Sequence, residues 1–209
     1  MLGFNEGLVI DMDLAKIVPD LLKMHPAVRW VKLVGSRSEG LAWMYSDWDF
    51  LVDTTDFDAV STALPSLTLE LDPLSHLWDP LSHQSVYMMI LRGPIKVDII
   101  FDHRQQLKPA WTVNSETIIP INSHFWDWIL WIASKEVRGS MDIVSKELKK
   151  MYLYLLASLG CTRIPDSIEG AVQEFILLFG EHKRLFNIVV DPTLETEVIN
   201  GLKAMGFHP

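Results

Sequence analysis

The chain has 209 residues and a formal net charge of -9, with 49% hydrophobic and 22% charged residues. That balance excludes a disordered chain and allows either one large packed domain or two small ones. Acids outnumber bases 15 to 9 over residues 1–110 and 12 to 9 over the remainder, so neither half has the Lys/Arg excess with which proteins hold long DNA or RNA.

A negative field concentrates cationic ligands, so a cationic or neutral small molecule is the expected partner. Cys161 is the only cysteine, which leaves no intrachain disulfide and fits a reducing compartment. The opening MLGFNEGLVIDMD is acidic and has no basic start or long apolar run. No uninterrupted apolar stretch approaches the roughly 20 residues that span a bilayer. The expectation is a cytoplasmic protein without a membrane partner.

Taken in chain order, residues 12–25 space Leu14, Ile17, Val18, Leu21, Leu22 and Met24 for a short amphipathic helix. Residues 30–34 and 48–52 are compact apolar runs and predict two buried strands flanking GSRSEGLAWMYS. Residues 65–84 are rich in Pro, Ser, Asp and His and read mainly as loop, with LTLEL as a short-strand candidate. DPLSH occurs at 72–76 and again at 79–83, units too short for a repeat architecture. Residues 86–91 and 95–101, separated by Arg92-Gly93-Pro94, predict a hairpin. Beyond Pro120 the pattern turns helical over 125–135, 141–159, 168–186 and 194–205. The expected fold is α/β (α+β), with a mixed-sheet catalytic domain over 1–115 and an all-α helical domain over 116–209. A site at their junction is the natural place for catalysis.

The chemistry concentrates in Gly35-Ser36, ten intervening residues, and Asp47-Trp48-Asp49. Residues i and i+2 of a strand share a face, so Asp47 and Asp49 set two carboxylates side by side. Such a pair on an apolar strand is costly unless a cation neutralises it, and hard divalent ions such as Mg²⁺ take these oxygens. Asp98, inside the apolar run KVDIIF, requires the same explanation. Singly, each acid is more often structural, Asp47 ending a strand and Asp98 lying on an edge. Together they can bridge two metals for an in-line displacement. Gly35 lets backbone approach phosphate oxygens, and the Ser36 hydroxyl can donate to them.

At these residues the chain resembles the nucleotidyltransferase superfamily typified by DNA polymerase β, and within it the small bacterial aminoglycoside and lincosamide nucleotidyltransferases. GSRSEGLAWMYSDWDFLV is similar to that family's Gly-Ser…Asp-x-Asp pattern, and KVDIIF to the strand carrying its third acid. The resemblance spans residues 30–102 and implies a mixed-sheet core, two Mg²⁺ ions held by Asp47, Asp49 and Asp98, and ATP or another NTP whose triphosphate meets Gly35 and Ser36, with Arg37 beside them. HFWDWILWIASKEVRG is similar to the Trp-rich helix that follows the catalytic domain in aminoglycoside adenylyltransferases, which implies nucleotide contacts for Lys135 and Arg138. Lys135, Arg138, Asp142, Lys146 and Lys149 also recur at helical spacing as one polar stripe, a pattern that is as often a solvated face. Glu136 and Asp98 are alternative general bases for the acceptor's proton.

The implied activity is transfer of a nucleoside monophosphate, AMP from ATP for preference, to a hydroxyl of a small molecule such as an aminoglycoside-like antibiotic. Two other readings remain open: a protein AMP-transferase of antitoxin type, and a non-catalytic nucleotide-binding module. The histidines have no recognised zinc spacing and read as surface or turn residues. The tryptophans read as core, with Trp43 in the spacer as the one placed to flank a substrate.

Overall fold

The computed structural model describes residues 13–105 and 110–209; the expectations for residues 1–12 lie outside that range. The chain order is α1 (Leu14–Leu22), β1 (Val28–Val34), α2 (Gly35–Ser38), β2 (Trp48–Thr54), α3 (Phe57–Leu67), β3 (Ser75–Trp78), β4 (Gln84–Leu91) and β5 (Ile95–Arg104). The helices α4 (Ile118–Val137), α5 (Met141–Met151), α6 (Ile168–Phe186) and α7 (Thr193–Ala204) follow. No described helix is long and apolar enough to cross a membrane.

The strands form one five-stranded mixed sheet in the order β1-β2-β5-β4-β3. Among the described residues its one parallel pairing joins β2 to β5, and the other pairings are antiparallel. This puts β5 inside the sheet, so Asp98 is a central residue with no free edge beside it.

Strand alternation sorts the side chains. Phe50, Val52, Tyr87, Met89, Val97, Ile99 and Phe101 point to one face and are buried beneath α1 and α3 with Leu14, Val18, Val60 and Leu64. The opposite parity contributes Ile90 to a second core with α4 to α7. Asp49, Lys96 and Asp98 share that parity, so they face α4. This helix is apolar nearly all round, as a helix enclosed by other elements must be: Ile121, Phe125, Ile129 and Ile132 are fully buried, and so are the polar Asn122, His124 and Asp127. Phe125 stacks on Phe175 of α6 at 3.7 Å between ring centroids.

Several expectations need adjustment. The segment 65–84 contains the end of α3, a 3-10 turn at Leu69–Leu71 where LTLEL suggested a strand, and β3. Pro65 remains helical at the end of α3, and Asp56 caps the start, accepting from the Ala59 amide at 3.0 Å. The first DPLSH runs into β3, while the second forms the turn to β4, with the Asp79 carboxylate accepting from the Leu81 amide at 2.8 Å. The helix expected over 125–135 begins seven residues earlier at Ile118, with Pro120 in its first turn, where the missing N–H costs nothing. The helix expected over 141–159 is α-helical only to Met151 and continues as a π turn, Tyr152–Leu156, in which the Ala157 amide donates to the Tyr152 carbonyl at 2.8 Å. The 135–149 polar stripe is divided because α4 ends at Val137; Asp142, Lys146 and Lys149 lie exposed on α5.

Candidate active site

Asp49 and Asp98 are register partners across the parallel β2–β5 pairing, and Asp47 immediately precedes β2. One carboxylate oxygen from each of the three lies within 4.8 Å of the others. Three anionic oxygens at that separation repel, and the repulsion is relieved by a shared cation or by protonation. Burial pushes the Asp47 carboxyl up to about 6; Lys96 draws it back down, and Asp98 and Asp49 push it further up. Asp49 is raised for the same reasons, burial first and Asp98 next. An all-carboxylate donor set this compact fits a hard divalent ion such as Mg²⁺.

Gly35 explains how the preceding loop comes so close. It lies in the left-handed region at φ 68°, as the first residue of α2 directly after β1, a conformation glycine adopts without steric penalty. A Cβ built there would fall onto the Asp49 carboxylate. The Ser36 hydroxyl makes no hydrogen bond to any described residue. Arg37 is turned to the spacer: its Nε and Nη2 donate to the Ser46 carbonyl at 3.0 and 2.6 Å, Nε also to the Asp47 carbonyl at 3.1 Å, and the guanidinium lies 4.1 Å from the centre of the Trp48 ring. It therefore fixes the backbone that presents Asp47. Trp43 packs edge-on against Tyr45, at 5.0 Å between centroids, as a structural element of the same spacer.

From the other side, α4 lays a row of side chains over the acids. Lys135 is near enough to lower the carboxyl pKa of both Asp47 and Asp49, and its Nζ lies 4.9 Å from the centre of the Trp131 ring. Glu136, one position on and rotated by about 100°, is directed elsewhere: burial raises its carboxyl, and the neighbouring charge is Glu169 at the start of α6. Arg138 is exposed at the C-cap of α4. Of the expected residues, Asp47, Asp49, Asp98, Gly35 and Lys135 thus converge; Glu136 and Arg138 do not join them.

Two important residues have no counterpart in the sequence reading. Lys96 is buried and reaches both oxygens of buried Asp127, at 2.7 and 2.8 Å, and Asp98 Oδ1 at 3.3 Å. Burial acts to discharge this ammonium, but Asp127, Asp98 and Asp47 outweigh it and hold the group above lysine's ordinary range. Lys96 is thus a fixed internal cation linking Asp98 to α4. Lys96 was visible beside Asp98, and Asp127 lies on the same helical face as Trp131 and Lys135, at i, i+4 and i+8. That spacing was the available signal.

Two cavities meet at Lys96. One, of about 540 Å³, extends past Asp98 to Asp79, His124, Trp131 and Tyr154. The other, of about 490 Å³, extends past Asp47 and Tyr45 to Pro94 and α7. Both are of ordinary small-molecule size. His124 departs from the surface role expected of the histidines: it is buried at 3% exposure, and burial, with Lys96 nearby, lowers its pKa to about 3, so it is a neutral ring.

No protein-family model and no curated protein sequence matches the chain. Among solved structures, an aminoglycoside 6-adenyltransferase from Bacillus subtilis aligns at 11% identity and a TM-score of 0.33, over 92% of this chain and 97% of that one. The polymerase core of TRAMP, an RNA surveillance complex, aligns at 13% identity and a TM-score of 0.38, over 98% of this chain and 58% of that one. At these values the likeness carries no functional argument, which comes instead from the carboxylates.

Proposed function

We propose that the protein is a Mg²⁺-dependent nucleotidyltransferase that moves a nucleoside monophosphate, AMP from ATP, onto a hydroxyl of a small-molecule acceptor such as an aminoglycoside-like compound. The observation that carries this reading is the convergence of Asp49 of β2, Asp98 of the parallel-paired β5 and Asp47 just before β2, with their ligand oxygens within 4.8 Å of one another. Two Mg²⁺ ions bound there would supply Lewis acidity at the attacking and leaving oxygens.

The residues of the chain then divide the work. Asp98, facing the 540 Å³ cavity, takes the proton of the acceptor hydroxyl as its oxygen attacks the α-phosphorus; the α–β phosphoanhydride bond breaks and pyrophosphate leaves. The Ser36 hydroxyl donates to the triphosphate, for which Gly35 makes room. Lys135 neutralises developing charge from the α4 side, where a fixed cation costs no reorganisation. Lys96, already paired, holds Asp98 in place, and Arg37 does the same for the backbone of Asp47. The negative total charge of the chain suits an acceptor that is not a nucleic acid.

The test is a split-label assay with Mg²⁺ and a panel of hydroxylated acceptors. Label from [α-³²P]ATP should appear in an acceptor adduct, and label from [γ-³²P]ATP in pyrophosphate. Release of γ-label as orthophosphate, or transfer indifferent to EDTA, would overturn the assignment.

A further inference from the structure

One wall of the 540 Å³ cavity is organised around a single proton. Trp111 Nε1–H donates to His124 Nδ1 at 3.0 Å, so Nδ1 offers its lone pair and the one N–H of the neutral ring is at Nε2. Both rings are held from behind. The Trp111 amide donates to the Tyr154 carbonyl at 2.9 Å, within the π turn that follows α5. His124 lies nearly parallel to Trp128, 5.3 Å between centroids, and Trp128 Nε1–H is held by Glu147 Oε2 at 3.1 Å.

His124 Nε2 has no hydrogen-bond partner among the described residues. It faces Asp79 Oδ1 across 3.9 Å, too far for a direct bond, and both residues line the cavity. A group completing this pair must accept from Nε2–H and donate to a carboxylate. A hydroxyl does both; an ammonium has no lone pair and cannot accept.

We propose that His124 and Asp79 form a hydroxyl clamp that holds a second, non-reacting hydroxyl of a polyol acceptor while another of its hydroxyls meets Asp98. This deepens the nucleotidyltransferase reading and rests on it for the role of Asp98. Trp111 is a positioning residue, acting only through the tautomer of His124. The clamp selects a polyhydroxylated ring and refuses an amine at this one position.

Two-bond ¹H–¹⁵N spectra of the ¹⁵N-labelled full chain, with the His124 signals identified by their loss in His124→Gln, read the tautomer directly. Nδ1 should be unprotonated and Nε2 protonated at pH 7. Titration with myo-inositol should shift Nε2, whereas cis-1,3-diaminocyclohexane, a six-membered ring offering only ammonium groups, should not. Asp79→Asn should weaken inositol binding at least tenfold, and Trp111→Phe should give mixed His124 tautomers. A proton on Nδ1 in the parent protein, no response to inositol, an equal response to the diamine, or undiminished binding in Asp79→Asn would each overturn the clamp. Calorimetry with Mg·ATP on the parent protein reports separately on the nucleotide site that the transferase reading requires. Inositol binding without ATP binding keeps the clamp and removes that reading, and ATP binding without inositol binding does the reverse.

Discussion

Asp47 shows the cost of packing three carboxylates against one another. Its pKa is raised from 3.8 to about 6, so ionised Asp47 opposes folding at pH 7. The native state binds this proton before the unfolded state does, so the penalty is full above pH 6 and fades as pH falls from about 6 towards 4. Asp47→Asn should therefore raise the stability of EDTA-treated protein at pH 7 and change it far less at pH 4, measured by urea unfolding. Equal shifts at both pH values would contradict the electrostatic origin. Gly35→Ala should lower both stability and metal affinity, because the added Cβ meets Asp49 in a backbone conformation that alanine disfavours. At this scale the sequence was legible where the partners are close along the chain: i, i+2 alternation placed Asp47 and Asp49 together. The Lys96–Asp127 pair spans 31 positions, and no local period connects a strand residue with a helix residue at that distance. The positioning role of Arg37 was hidden, because its charge gives no hint that the Ser46 and Asp47 carbonyls take its Nε and Nη2 donors.

Among the elements, α4 does most to close the site, since Asp127, Trp131 and Lys135 lie on one of its faces. Lys135→Ala should raise the NTP Michaelis constant at least tenfold, as expected for loss of a charged hydrogen bond of about 1.5 to 3 kcal/mol. Glu136→Gln should leave the rate within twofold and stabilise the fold slightly, because it relieves repulsion from Glu169. A rate loss in Glu136→Gln that varies with pH would restore Glu136 as the base in place of Asp98. Lys96→Met should cost roughly 3 to 5 kcal/mol by leaving Asp127 buried without its partner, and the double variant Lys96→Met/Asp127→Leu should recover much of that stability without recovering activity. Thermal unfolding and turnover of the two proteins check this. The sequence revealed a helix here but not its start, because residues 118–124 mix Ile, Pro, Asn, Ser and His, and only enclosure by other elements makes such a segment a buried helix. The π turn after Met151 was equally hidden, since the apolar spacing of Tyr152–Leu156 continues that of the α-helix before it.

At the scale of the whole molecule, the sheet is covered on both faces by separate apolar cores, and the acids lie on the α4 side. Ile90 belongs to the core of the helices, and Gly201 of α7 lies so close to Pro94 in the β4–β5 turn that a Cβ there would clash. Residues 1–115 expressed alone should therefore lose cooperative unfolding and all transfer activity, since they expose one sheet face and strip Lys96 of Asp127. A sharp thermal transition in that fragment would contradict this. The expected hairpin and the division into sheet and helices were readable from apolar runs and turn residues. Strand order was not, because the parallel β2–β5 contact is a crossover whose partners share no turn. The central claim, that these carboxylates hold divalent metal for an NTP, is tested most directly by electron paramagnetic resonance of Mn²⁺ titrated into the protein with ATP. The parent protein should bind Mn²⁺, and Asp49→Asn, with an unchanged circular dichroism spectrum, should bind it at least tenfold more weakly. Equal binding by both proteins, or none by the parent, would contradict the account.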